Sequence, residues 1–120
     1  MLLEGSCHCK LVQFKVESTH PYPYNVCYCG VCRKTAGGGG SVVNLGADNE
    51  TLEIEGKEHI RIYQAKIKDE TTGEIKESEA RRHFCGNCGS PLWLWDPRWP
   101  ELVHPKYLSI YGFRACQHLI

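Results

Sequence analysis

The chain has 120 residues, and its fourteen basic and fourteen acidic side chains cancel. That length is one domain, here residues 1–120, with room for a modest core. The cancelled charge, with no basic stripe, leaves nucleic acid and acidic membranes without electrostatic support as partners, and no run approaches a membrane span.

The first residues, Met1-Leu2-Leu3-Glu4-Gly5-Ser6-Cys7, have no basic start and no apolar run of signal length. They predict a cytoplasmic, reducing setting, where cysteine clusters are metal or redox sites rather than disulfides. Cys7-His8-Cys9 comes next. In an extended segment both thiols would point one way with Cα atoms roughly 6.5 Å apart. Zn–S bonds of about 2.3 Å need the sulfurs closer, so a bend or inward-leaning rotamers must help. Residues 11–16 alternate, with Val12, Phe14 and Val16 on one face and Gln13 and Lys15 on the other, as in a half-buried strand. His20-Pro21-Tyr22-Pro23 reads as a turn or extended linker.

Cys27-Tyr28-Cys29-Gly30-Val31-Cys32 then places three cysteines in six residues. Arg33-Lys34-Thr35-Ala36 leads into four glycines, 37–40, which suit neither a helix nor a strand interior. Strands are expected at 41–45, around 52–54, and at 60–63. Residues 65–82 are densely charged around a Thr71-Thr72-Gly73 turn signal. They read as a protruding polar hairpin, with a short helix over 74–80 as the alternative. In His83-Phe84-Cys85-Gly86-Asn87-Cys88-Gly89-Ser90, the C-x2-C turn aims both thiolates inward as a zinc knuckle. Residues 92–95 form a buried strand, 96–100 a loop and 107–111 the last strand. The sum is a mainly β fold of several short strands with little helix.

Seven of the eight cysteines are clustered. The count suggests four thiols closing one zinc and three leaving another open, without saying which share a metal. Local geometry favours Cys27, Cys29 and Cys32 as the triple, since one short segment presents them together. Cys7, Cys9, Cys85 and Cys88 then tie the N-terminus to the late strands. Three thiolates make zinc a weak Lewis acid toward water and favour a soft fourth ligand, a substrate thiol. The other reading of the triple is a closed structural site with His59, His83 or His104 as fourth ligand.

Gly5-Ser6-Cys7-His8-Cys9 with Val12 and Phe14, Cys27-Tyr28-Cys29-Gly30-Val31-Cys32-Arg33-Lys34, and Phe84-Cys85-Gly86-Asn87-Cys88-Gly89-Ser90 resemble the glutathione-dependent formaldehyde-activating enzyme family, whose domain centromere protein V shares. The resemblance spans Gly5 to about Tyr111. It implies a small zinc-ribbon-derived fold of several short antiparallel sheets, similar to that of methionine-R-sulfoxide reductases. It implies two zinc ions per chain: a structural one on Cys7, Cys9, Cys85 and Cys88, and a catalytic one on Cys27, Cys29 and Cys32. The family's reaction makes or cleaves a carbon–sulfur bond between glutathione and formaldehyde, so the implied partners are a small thiol and a carbonyl compound. Arg33 and Lys34 can hold a carboxylate of a glutathione-like ligand, and glycines 37–40 can offer N–H groups to the same anion; a surface charge pair and a plain loop are the alternatives. The chain stops at Ile120, where relatives usually continue with a loop and a tryptophan-containing tail, and the segment 66–79 looks longer than in compact relatives.

Two other functions remain in view. Arg114-Ala115-Cys116-Gln117 faintly resembles the nucleophile motif of methionine-R-sulfoxide reductases. A non-catalytic zinc-stapled module would instead use Trp93, Trp95, Trp99 and the tyrosines as a contact face, although the apolar strand around Trp93 and Trp95 favours core packing for those two.

Overall fold

The structure is a computed structural model that describes residues 1–36 and 39–111, with the backbone alone for 20–24. In chain order its strands are β1 (Leu2–Ser6), β2 (Gln13–Glu17) and β3 (His20–Cys27), then helix α1 (Gly30–Ala36). They continue with β4 (Val42–Asp48), β5 (Glu53–Glu55), β6 (Ile60–Tyr63), β7 (Lys66–Lys68), β8 (Ile75–Glu77), β9 (Arg81–Cys85), β10 (Pro91–Trp95) and β11 (Leu102–Pro105). Three antiparallel sheets result, ordered β1-β2-β5, β3-β4-β11-β10-β9-β6, and the β7-β8 hairpin. The mainly β fold of several small sheets is as the sequence led us to expect.

The core lies between the first two sheets. On β2 the alternation buries Phe14 and Val16 and leaves Gln13, Lys15 and Glu17 outside. Leu3 joins Phe14 and Val16 from one sheet, Val12 comes from the turn before β2, and Leu45, Ala47, Leu92, Trp93 and Val103 come from the other sheet. The Phe14 and Trp93 rings meet edge to face with centroids 5.1 Å apart. That geometry favours the pair beyond simple area burial. Gly5 pairs with Phe14 across β1 and β2. A Cβ there would run into the Ser109 carbonyl and the Phe14 ring, so only glycine lets the sheet close over this contact.

Several elements differ from the sequence reading. Residues 20–23, expected as a turn or linker, belong to β3, an edge strand whose register shifts around Pro23. An edge with irregular pairing is where a strand tolerates prolines, because no ladder hydrogen bond is lost. Residues 30–36 form α1, too short for its period to show in the sequence. The expected last strand is a 3-10 turn at Tyr107–Ser109, with pairing resumed only at the Gly5–Ile110 bridge. The strand in this region is β11, which pairs with β10 and β4. The charged stretch is the expected hairpin, with β7 and β8 facing solvent on both sides and no helix.

Candidate metal centres

Cys7 and Cys9 sit on the turn joining β1 to β2. The Cys7 N–H donates to the Val12 carbonyl at 3.0 Å and the Lys10 N–H to the Cys7 carbonyl at 3.3 Å, with Lys10 at φ 69°. This is the bend that the C-x-C spacing required. A second turn joins β9 to β10. There the Gly89 N–H donates to the Cys85 carbonyl at 2.8 Å and the Cys85 N–H to the Ser90 carbonyl at 2.9 Å. Gly89 takes φ 81°, a left-handed conformation that glycine enters without strain. The His8 N–H donates to Ser90 Oγ at 3.0 Å and links the two turns.

The four sulfurs of Cys7, Cys9, Cys85 and Cys88 all lie within 4.8 Å of one another. Cys7 and Cys9 are 3.5 Å apart, and Cys9 and Cys85 are 3.7 Å apart. Four bonds of about 2.3 Å to one tetrahedral zinc put sulfurs about 3.8 Å apart. All four are free thiols. The donor set is soft and free of oxygen ligands, so the site fits zinc. Its surroundings treat the sulfurs unequally. Burial pushes the Cys7 thiol up to about 11, although the Val12 N–H points at its sulfur from 3.3 Å. The Ser90 hydroxyl, 3.1 Å from the Cys88 sulfur, helps bring that thiol down to about 5.

The second cluster is local. Cys27 ends β3, Cys29 precedes α1, and Cys32 lies buried inside the helix. Their sulfurs also lie within 4.8 Å of one another. The Cys32 N–H donates to the Cys29 sulfur at 3.3 Å and is the main cause of a Cys29 thiol lowered to about 7, while burial raises Cys27 to about 11. The Arg82 guanidinium reaches over from β9, with its two terminal nitrogens 3.5 and 3.6 Å from the Cys32 sulfur.

Among the described residues, no fourth cysteine, histidine or carboxylate joins these three. His83 places Nδ1 3.1 Å from the Arg81 carbonyl and stacks on Trp93. His104 places Nδ1 3.1 Å from the Leu45 carbonyl, and His59 lies 3.6 Å from Glu58. None of the three histidines proposed as a closing ligand is in the cluster. Three thiols fit a zinc ion that keeps one position for another ligand.

Arg33 and Lys34 are exposed on α1, whose buried residue is Cys32. Gly37, Gly38 and Cys116 lie outside the described residues, and with them the proposed anion contact of the first two glycines and the reductase-like motif. Trp93 is 3% exposed in the core, Trp95 packs against it, and Trp99 is exposed.

Two neighbours of the triple were not singled out from sequence. Arg82 sat inside a charge run read as polar surface. Lys106 is 2% exposed, its Nζ donating to Asn44 Oδ1 at 2.8 Å. Asn44 Nδ2 in turn donates to Asn25 Oδ1 at 2.8 Å. Burial brings the Lys106 ammonium down to about 8, with the cysteine sulfurs opposing that shift. A lone lysine in the apolar run 102–110 was the available signal. A cleft of about 320 Å³ opens beside these cations, lined by Ala36, Arg82, Phe84, Pro91, Trp93 and Lys106 among others.

The family model of glutathione-dependent formaldehyde-activating enzymes matches residues 2–109, a span that contains both clusters. The chain belongs to that family. A curated family relative from Halomonas elongata is 60% identical over 105 residues, covering 88% of this chain and 63% of the relative. It is named provisionally as a glutathione-dependent formaldehyde-activating enzyme, and the chain spans less than two thirds of its length. A crystal structure of a Rhodobacter sphaeroides protein shares the fold with a TM-score of 0.69 at 22% identity, covering 96% of this chain and 94% of that one. Within the described residues, no helix is long and apolar enough to cross a membrane.

Proposed function

We propose that this family member makes or breaks a bond between a thiol, such as glutathione, and a carbonyl carbon, as a carbon–sulfur lyase with two zinc ions per chain. Cys7, Cys9, Cys85 and Cys88 would hold the structural ion, and Cys27, Cys29 and Cys32 the catalytic one. The observation that carries the reading is the triple itself: three converging thiols without a fourth protein ligand among the described residues. The name of the Halomonas elongata relative points to the same substrates. When bound at the triple, zinc would supply a soft electrophilic centre with a place for a visiting sulfur.

The residues around the triple set the terms of the reaction. Arg82 offers two N–H groups to the Cys32 sulfur, which fixes its orientation and offsets its charge. Lys106 adds a second cation close by. Between them they favour the charge that develops when sulfur adds to a carbonyl. In that step the thiol proton leaves to solvent and the sulfur lone pair forms the C–S bond. The carbonyl π pair moves to oxygen, which then takes a proton. The product is a hydroxyalkyl thioether, and the reverse sequence cleaves it. Arg33 and Lys34 face solvent on the same helix as Cys32, where they would receive a carboxylate of the thiol. A reducing, cytoplasmic location belongs to the same proposal, since oxidation of the triple would remove its ligands.

The test is metal analysis with and without glutathione, together with an assay of thiol release from S-hydroxymethylglutathione. Cys29→Ser should lose the second metal and the activity together. A Cys29→Ser protein that kept both, and still bound thiol, would overturn the reading.

A further inference from the structure

The cleft beside the triple is much larger than formaldehyde, and its lining is of two kinds. Arg82, which touches the Cys32 sulfur, and Lys106 supply cations. The rest of the lining is mostly apolar and includes Ala36 from α1, Phe84 from β9, and Pro91 and Trp93 from β10, with Thr35, Tyr63 and His83 also on it. A volume of about 320 Å³ lies within the usual range for small-molecule sites. At about 30 Å³ per water in the liquid, it accommodates on the order of ten heavy atoms. Formaldehyde has two heavy atoms and would leave the apolar walls facing water.

Resting on the thiol–carbonyl reading, we infer that this cleft selects an aldehyde with an apolar body of about six carbons, its oxygen held by Lys106. A buried ammonium whose side-chain partner is a neutral amide gains from a strongly polar oxygen placed against it. An aldehyde oxygen there becomes an alkoxide as sulfur adds, and the cation then stabilises it more than it stabilised the ground state. The carbonyl carbon comes to lie on the side where Arg82 meets Cys32, next to the place for the incoming sulfur. The aliphatic body fills the space between Ala36, Phe84, Pro91 and Trp93. Lys106 is then a catalytic residue, and Ala36 sets the room available.

Two arms on the full, zinc-loaded chain test this. In the first, hexanol, an unreactive stand-in, is titrated while backbone amide NMR signals are followed. Saturable shifts at Ala36, Phe84 and Trp93, and none at Cys7 to Cys9, are expected. In the second, glutathione addition to hexanal and to formaldehyde is compared, each as acceleration over its own uncatalysed rate. The acceleration should be at least tenfold greater for hexanal, in line with what apolar pockets discriminate. Ala36→Phe should cut that ratio at least tenfold, and Lys106→Met should lower kcat for hexanal. Equal or greater acceleration of formaldehyde, or no saturable shift at the cleft, would overturn the inference. Hexanol shifts at the cleft with no acceleration of either aldehyde would uphold the apolar occupant and remove the thiol–carbonyl reading instead.

Discussion

Four sulfurs meet where the turn after β1 faces the turn after β9, with Cys9 and Cys85 76 residues apart in sequence. Three meet within one short segment at the end of β3 and the start of α1. The chemistry of the ligands is the same, yet the consequences for folding differ. Bringing together groups 76 residues apart costs loop entropy that the unfolded chain must give up. A metal that binds only after closure returns its binding energy to the fold. The local triple closes little chain, so a metal held there would add little to the link between sheets and could leave without unfolding it. A cluster that staples distant strands is suited to hold an ion firmly, and one on a short loop would be suited to share it.

The largest effect expected from this contrast is on folding. Cys85→Ser should abolish the cooperative thermal transition, or lower it by tens of degrees, because structural zinc contributes about 10 kcal/mol or more in small domains. Cys29→Ser should leave the transition within a few degrees of the parent while removing thiol-dependent activity. Circular dichroism melts of the two variants check this, and equal destabilisation by both would erase the distinction between the clusters.

The metals themselves should separate next. Native mass spectrometry is expected to find two zinc ions per chain, with one removed by a moderate chelator or excess glutathione and the other retained until the protein unfolds. Release of both in one step would break the comparison. A smaller effect sharpens it from the side of the triple. Arg82→Met keeps the aliphatic packing but removes both N–H contacts to the Cys32 sulfur. Loss of such an outer contact typically costs about 10- to 100-fold in metal affinity or activity. Steady-state rates and metal content should fall together, with the melt unchanged.

The legible features share a short range. Phe14 and Val16 alternate with polar neighbours, the hairpin has its own turn signal, and each cysteine pair carries its spacing within a few residues. Even the division of seven thiols followed from the closeness of three. What escaped depends on distant partners. The two prolines of β3 read as breakers, because nothing in the local sequence says that the strand is an edge with a shifted register. Strand β11 has Leu102, Val103 and Pro105 in a run too short to separate from a loop, and its identity comes from β10 and β4 on either side. Arg82 and Lys106 look like ordinary surface charge until β9 and the turn after β11 carry them to the cysteines. Lys106 and its partner Asn44 are separated by 62 residues, beyond any periodicity argument.

The smallest predicted effect uses the two ends of β10. Its beginning follows the Cys88 turn, and its far end runs into Asp96, whose carboxylate accepts from the Arg98 side chain at 2.7 and 3.0 Å and from the Arg98 backbone N–H at 2.9 Å. The side-chain bonds from Arg98 are the main cause of holding the Asp96 carboxyl below the usual range. A carboxyl lowered in the folded state contributes stability above the unfolded value of about 3.9, and loses it as pH falls through the lower folded value. Asp96→Asn should therefore lower the melting temperature by a few degrees at neutral pH, by the same amount near pH 5, and by progressively less below about pH 4. Zinc content should match the parent at every pH, since the substitution lies at the end of the strand away from the cysteines. A gap that persisted undiminished into acid would assign the effect to packing of the turn rather than to the charge pair. A loss of zinc in the variant would mean that the two ends of β10 are not independent, and that the stapled cluster relies on more than its four sulfurs.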